Sequence, residues 1–290
     1  RRDKVAMGRK WCAPREEGIL SSLKAGLPLS SFESRKVVAA RDKFGSTCLH
    51  WACGLGHLQT VEYLISLGME SEAQVCGNRR FPLHFAARNG HLKVVRYLVE
   101  ERGADPDCRA AADVTPFQLA AWQLRLPVLR YLASLKKIDV AFPNAFRCYA
   151  SHWTALAPAG SRTEDLLEVA AYLRDLCGVE FWRVRNAQGH TPLHKAAFAG
   201  HVGLCAWLRD ECGLLDDRPD DHGNFAADLA REAGRAEVAD WLARHCSPTR
   251  QADLRTLGLL VREEGGGGDD FDDDDLVKKK DDDDDDDDDS

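Results

Sequence analysis

Two histidines and two cysteines lie close together in the segment TPLHKAAFAGHVGLCAWLRDEC, residues 191–212. They are His194, His201, Cys205 and Cys212. Imidazole nitrogen and thiolate sulfur are the ligands that Zn²⁺ prefers, and four such ligands complete a structural zinc site. Taken alone, the segment therefore predicts a metal site along one helical stretch.

Similar segments recur along the chain, and this recurrence suggests a different interpretation. TCLHWACGLGHLQTVEYL starts at residue 47, FPLHFAARNGHLKVVRYL at 81, TPFQLAAWQLRLPVLRYL at 115 and FAADLAREAGRAEVADWL at 225. The starts at 47, 81 and 115 are equally spaced, and the same interval separates the starts at 191 and 225. We assign the gap between 115 and 191 to TALAPAGSRTEDLLEVAAYL (154–173), in which Pro158 would distort the first helix.

Each unit predicts two helices joined by a glycine turn. Thr at the start can cap a helix, and Pro suits its first turn. Gly56, Gly90 and Gly200 then end this short helix, because glycine readily takes the positive φ of a C-terminal cap. A second helix follows with apolar residues at helical spacing. Turn-rich segments between units predict hairpin loops, and no segment reads as a long strand. The predicted fold class is all-α.

The T-P-L-H-x-A start, the Gly-His pair, the RGADPD end (102–107) and the regular period of the units resemble the ankyrin repeat. The resemblance covers roughly residues 43–246 and implies an ankyrin-repeat solenoid of about six helix-turn-helix units with hairpin loops, each stacked on its neighbours. The expected units lie near 43–76, 77–110, 111–144, 145–185 (irregular), 186–219 and 220–246. We expect residues 1–42 to form a basic segment with a capping helix or half repeat, and 247–262 a short helical segment.

The alignment argues against the zinc site, because the histidines recur at the same spacing in other units. The resemblance implies that the first histidine of each unit makes a structural hydrogen bond near the start of the first helix. We expect this structural set to comprise Thr47, His50, His57, His84, His91, Thr115, Thr191, His194 and His201. Cys205 aligns with apolar residues and Cys212 with a loop position, so we expect neither a metal nor a cofactor.

The charge of the chain is divided unevenly. The 290 residues carry a net charge of −8, but residues 263–290 hold 17 acidic residues and three lysines, a net of −14, which leaves +6 for residues 1–262. The acidic segment has low complexity and few apolar groups, so it predicts a disordered tail. The sequence has no run of 18 or more apolar residues, so it predicts no membrane span. Ten cysteines without framework spacing favour a reducing compartment, the cytoplasm or nucleus.

Enzyme motifs are missing from the sequence: it has no phosphate-binding loop, no dinucleotide fingerprint, no H-E-x-x-H and no G-x-S-x-G. We therefore expect no catalytic residue. The resemblance implies a protein-binding surface formed by the hairpin tips and the exposed face of the first helices. Candidate contacts are Lys43, Phe44, Trp51, Asn78, Arg79, Arg80, Phe85, Arg88, Asp113, Trp122, Gln188, His190, Lys195, Phe198 and His222.

Three functions remain open from the sequence. The leading one is a monomeric, non-catalytic scaffold or adaptor that binds an unidentified protein partner on its concave surface. The alternative is a binder of anionic or chromatin partners, with nucleic acid on the basic body, histones on the acidic tail, and the tail modulating binding. In the third, the repeats are the accessory part of an enzyme whose catalytic domain lies upstream in a longer chain.

Overall fold

The computed structural model describes residue 23 and residues 34–42, 44–69 and 78–246. The predictions for Lys43, for residues 247–262 and for the acidic tail lie outside this set. Within it the chain forms thirteen α-helices. They are α1 (Ser34–Ala39), α2 (Cys48–Leu55), α3 (Leu58–Ser66), α4 (Pro82–Asn89), α5 (Leu92–Arg96), α6 (Pro116–Trp122), α7 (Leu126–Ser134), α8 (Ala150–Ala155), α9 (Thr163–Cys177), α10 (Pro192–Ala199), α11 (Val202–Cys212), α12 (Ala226–Glu232) and α13 (Ala236–His245).

From α2 onward the helices alternate between two rows. In the first-helix row, α2, α4, α6, α8, α10 and α12 each contact the next member. In the second-helix row, α3 contacts α5, and α11 contacts α13. Small residues let the first helices approach closely: Ala86, Ala121 and Ala197 are fully buried. The core therefore runs continuously between the rows, as a stacked repeat requires.

Short-range capping defines the ends of the helices. Thr47 Oγ1 accepts from the backbone N–H of His50 (3.4 Å), and Thr115 Oγ1 accepts from that of Gln118 (3.2 Å). Gly56, Gly90 and Gly200 end their helices with φ of 76°, 83° and 94°. This confirms the prediction for the glycine turns, because this left-handed region favours a residue without Cβ.

The fourth unit corrects our alignment. Its first helix, α8, follows the N-cap residue Tyr149. Tyr149 lies one repeat period after Thr115, the N-cap residue of α6, but more than one period before Thr191, the N-cap residue of α10. The alignment of Thr154 with the start of the first helix was therefore wrong, as was the expected distortion of that helix by Pro158. Thr154 is buried within α8, and Pro158 lies beyond its end. The additional residues of this unit lengthen the segment after α8, including the 15-residue helix α9.

Arginines and aromatic residues alternate along the second-helix row. The guanidinium of Arg130 lies 4.8 Å from the ring centroid of Tyr172, one unit further on. The same relationship joins Arg96 to Tyr131 (5.5 Å), Arg174 to Trp207 (5.5 Å) and Arg209 to Trp241 (5.1 Å). Each pair combines cation–π attraction with packing, so these four aromatic residues join neighbouring units. No helix within the described ranges has the length and apolarity needed to cross a membrane.

Candidate protein-binding surface

A histidine near the start of the first helix bridges each unit to the next in units 1, 2 and 4. His84 Nδ1 accepts from the Phe81 backbone N–H (3.2 Å), and its Nε2 donates to the Val114 carbonyl (2.9 Å). His50 likewise donates to the Arg80 carbonyl at 3.1 Å, and His152 to the His190 carbonyl at 3.0 Å. One acceptor and one donor nitrogen require the neutral imidazole.

Other residues occupy this bridging position in the remaining units. Gln118 makes the same pair of bonds, since its Oε1 accepts from the Thr115 N–H and its Nε2 donates to the Cys148 carbonyl at 3.3 Å. His194 accepts from the Thr191 N–H at 3.2 Å, but its buried Nε2 makes no hydrogen bond of regular geometry. In the sixth unit the position is Asp228, whose carboxylate accepts from the Phe225 N–H. The forward bridging bonds are therefore those of the first four units.

A second set of donors points back to the preceding unit. His91 Nε2 donates to the Gly54 carbonyl (2.9 Å), and His201 Nε2 donates to the Ala157 carbonyl (2.8 Å). Arg125 fills the same position and donates to the Arg88 carbonyl at 3.3 Å. His57, in the first complete unit, is the N-cap residue of α3 and makes no side-chain capping bond. The second and third units thus donate side-chain hydrogen bonds in both directions along the stack.

The four residues of segment 191–212 that suggested a zinc site have separate structural roles. His194 and His201 bond to backbone groups as described above. Cys205 is fully buried, and burial raises the pKa of its thiol, which disfavours the thiolate that zinc requires. Cys212 is the last residue of α11 and is buried, which corrects its assignment to a loop. The described residues contain no cluster of three His, Cys, Asp or Glu side chains that could hold a metal ion.

The hairpin tips place predicted contact residues in solvent. Phe44 and Phe146 lie at equivalent positions of the first and fourth tips, three residues before the N-cap, and are 44% and 45% exposed. Asn78, Gln188 and His222 occupy this position in three other units. The next residue has a positive φ in each tip, and it is a glycine only in the first, fifth and sixth. Elsewhere it is Arg79 (52°), Asp113 (58°) or Arg147 (57°).

The first helices contribute a second group, which we call the first-helix face: the partly exposed Phe85, Arg88, Trp122, Leu156 and Phe198. The last four each lie four residues after a bridging residue, in successive units. Phe198 is 41% exposed. The Arg88 guanidinium lies 4.8 Å from the Trp122 ring centroid, and Trp122 Nε1 donates to the Leu156 carbonyl at 2.9 Å. The face therefore runs through at least four consecutive units.

Several predicted contacts are less accessible than expected. Lys195 is only 7% exposed and offers little surface to a partner. The His190 side chain is 13% exposed and lies 3.0 Å from the Asp220 carboxylate. Trp51 Nε1 donates to Asp42 Oδ2 (3.0 Å), which joins the first helix to its own tip. Arg80, by contrast, is only partly buried and keeps some exposed surface. Burial in the stack thus shortens the predicted contact list.

Comparison with known families agrees with this geometry. Models described as ankyrin repeats match residues 29–110, in a three-copy form, and residues 165–209, in a many-copy form. The chain contains ankyrin repeats. The all-helical stack described above is the ankyrin architecture that the sequence predicted. Ankyrin repeats are typically non-catalytic modules of protein–protein interaction.

One similar protein is the Tyrosine-protein kinase Shark of Drosophila melanogaster, which is 29% identical over 156 residues. The match covers 52% of this chain but only 15% of the kinase. The chain thus spans a small part of that relative's length, and the similarity lies in the repeats.

Sequence reasoning missed two exposed or partly exposed aromatic residues of this surface. Trp153 follows the bridging His152 and packs edge to face on Trp122, with ring centroids 6.2 Å apart. Phe146 lies at the fourth hairpin tip. Both belong to the unit that was aligned incorrectly. The histidine at position 152, one repeat period after Gln118, was the signal that could have placed them.

Proposed function

We propose that this protein is a non-catalytic scaffold or adaptor that binds a protein partner on its hairpin tips and first-helix face. The observation that carries the proposal is the set of partly exposed aromatic side chains on this surface. Phe44, Phe146 and Phe198 are each more than 40% exposed, and Trp122 adds a fourth ring. Exposed aromatic residues supply much of the binding energy in protein interfaces.

Site-specific photo-crosslinking tests this assignment. Phe146 or Phe198 is replaced by p-benzoylphenylalanine in the full chain, and crosslinked proteins are identified by mass spectrometry. Leu176, 40% exposed in the second-helix row, is the matched control position. We expect one protein to crosslink at both phenylalanine positions and not at Leu176. Equal crosslinking at all three positions, or crosslinking at Leu176 alone, contradicts the assignment.

The remaining functional expectations stay predictions. These are the monomeric state, a cytoplasmic or nuclear location, and the lack of catalysis by this chain. The alternative of nucleic acid on the basic body and histones on the tail is also a prediction, and the tail lies outside the described residues. A catalytic domain elsewhere in a longer chain would be compatible with an accessory role for the repeats.

A further inference from the structure

Positive charge is concentrated in the second and third units. No acidic residue occurs from Asn78 to Val99, whereas this stretch has five basic residues, counting lysine and arginine. Residues 78–144 hold 11 basic and six acidic residues, a net of +5. Residues 186–246 hold six basic and ten acidic residues, a net of −4. The two ends of the stack therefore favour ligands of opposite charge.

Two arginines of the second unit, Arg80 and Arg88, lie in this positive region, and both are partly buried. Burial and, to a smaller extent, the positive charge of Arg88 lower the pKa of Arg80 to about 10. Burial also lowers the pKa of Arg88. Both side chains remain charged at neutral pH, so each is a partly desolvated cation beside another. In the described part of the chain, no ion pair involves Arg80 or Arg88.

The environment of Arg88 positions its guanidinium for a ligand. Its central carbon, Cζ, lies over the Trp122 ring, 4.8 Å from the centroid. Arginine can pack on an aromatic ring and still offer several N–H donors to a ligand. A planar fork of N–H donors matches a carboxylate, which it can bind through two parallel hydrogen bonds.

We propose that Arg80 and Arg88 form the recognition site for a carboxylate-bearing, acidic segment of the protein partner. The proposal rests on the function proposed above and adds the chemistry of the partner. A bound carboxylate would offset the repulsion between the two arginines. Apolar side chains that follow the acidic group would reach Trp122, Leu156 and Phe198, the next members of the first-helix face.

A short acidic peptide fits this face better than nucleic acid does. The sugar-phosphate backbone of a nucleic acid needs a basic groove that follows it over several nucleotides. Here the positions equivalent to Arg88 become Trp122, Leu156 and Phe198, and then Glu232 in the sixth unit. The face thus changes from cationic to apolar to acidic, which suits a partner segment with acidic residues at one end only.

Selection from a random peptide library tests the proposal and does not require the partner to be identified first. Phage-displayed 12-residue peptides are selected on the immobilised full chain and on its Arg80→Glu, Arg88→Glu double variant. We expect wild-type selection to enrich Asp and Glu beside apolar residues, and the double variant to lose that enrichment. Recovery of acid-poor peptides by the wild type overturns the acidic site alone. Recovery of no binding peptide contradicts the proposed function as well.

Affinity measurements then distinguish the site from general charge attraction. The tightest selected acidic peptide is fluorescein-labelled, and its Kd is measured by anisotropy for Arg80→Gln, Arg88→Gln and Lys93→Gln. Lys93 is the control because it lies on α5 of the same unit, is exposed and carries the same charge. Removing a charged hydrogen-bond partner should weaken binding about tenfold or more at the two arginines, and far less at Lys93.

Two further measurements test whether a loss of binding comes from unfolding of the variant or from the loss of positive charge alone. Circular dichroism of each variant checks that the helices remain, and Arg88→Lys keeps the charge but removes the planar fork. We expect Arg88→Lys to bind the peptide more weakly than wild type and more tightly than Arg88→Gln. An equal loss in Lys93→Gln overturns the site. Tighter binding of a labelled 20-nucleotide single-stranded DNA than of the peptide, lost in Arg88→Gln, would assign the arginines to phosphate instead.

Discussion

His84 Nε2 donates a hydrogen bond of 2.9 Å to the carbonyl oxygen of Val114, in the next unit of the stack. The other nitrogen of the ring accepts from the Phe81 backbone N–H, at the start of its own helix. One buried side chain therefore joins a helix cap to an interface between units. Stability and pH response at this position should follow from those two bonds.

Replacement of His84 by Gln should be tolerated, because Gln118 already makes the equivalent two bonds in the third unit. We expect a loss of about 1 kcal/mol or less in the free energy of unfolding for His84→Gln. His84→Ala leaves a cavity and two backbone groups without their partner, and should cost about 2–4 kcal/mol. Urea unfolding at pH 7 measures both. Equal losses would show that the bonds contribute little.

Acid should destabilise the stack through the same histidine. Burial, with a smaller contribution from the charge of Arg80, lowers the pKa of His84 to about 3 from its ordinary 6.5, although the hydrogen bond to Val114 acts in the opposite direction. Between these pH values the unfolded chain binds more protons than the folded one, so stability is full above pH 6.5 and falls as the pH drops. The slope per such histidine is at most about 1.4 kcal/mol per pH unit.

The substitution series at these positions isolates that contribution. Urea unfolding at pH 7 and pH 5 should show a smaller pH dependence for His84→Gln than for wild type. The converse change, Gln118→His, places a titratable ring at the equivalent position and should increase the dependence. An unchanged difference between the two pH values in both variants would contradict the assignment.

Two glycines with similar φ should respond differently to alanine. Gly56 (φ 76°) faces the His91 ring, with which an added Cβ would overlap, whereas Gly103 (φ 68°) has open space around it. Gly103→Ala carries only backbone strain, about 1 kcal/mol. Gly56→Ala adds a displacement of His91 and its bond to Gly54, so it should cost at least about 2 kcal/mol. Thermal unfolding compares them, and the reverse order would refute the packing argument.

Glycine should stabilise the fourth hairpin tip at one position. Arg147 has a φ of 57°, which is strained for a residue with a side chain, and the equivalent residue is glycine in three other tips. Arg147→Gly should raise the free energy of unfolding by about 0.5–1 kcal/mol. Ala145, in the same tip, has no positive φ, so Ala145→Gly should lower it by about 0.5–1 kcal/mol. Chemical unfolding of both variants tests the pair, and a stabilising Ala145→Gly would contradict it.

The sequence by itself determined the period, the helix starts at Thr47 and Thr115, and the glycine turns at Gly56, Gly90 and Gly200. Capping and positive-φ turns depend on residues a few positions apart, so short motifs specify them. The fourth unit escaped this reasoning because Tyr149 caps its helix without the Thr-Pro signal. Our alignment placed Thr154 at the start of this helix instead, and Thr154 is buried inside it.

Tertiary structure alone decided which side chains are accessible and which lie together. Lysine is usually exposed in proteins, yet the stacking of units buries Lys195. Phe198, three residues later on the same helix, remains exposed. Arg88 and Trp122 are a full repeat period apart in the chain, and only the stacking of two units brings them into contact. Burial and long-range pairing depend on how neighbouring units pack. The sequence of a single unit specifies the helices and turns of that unit. The proposed binding surface forms only when the units stack.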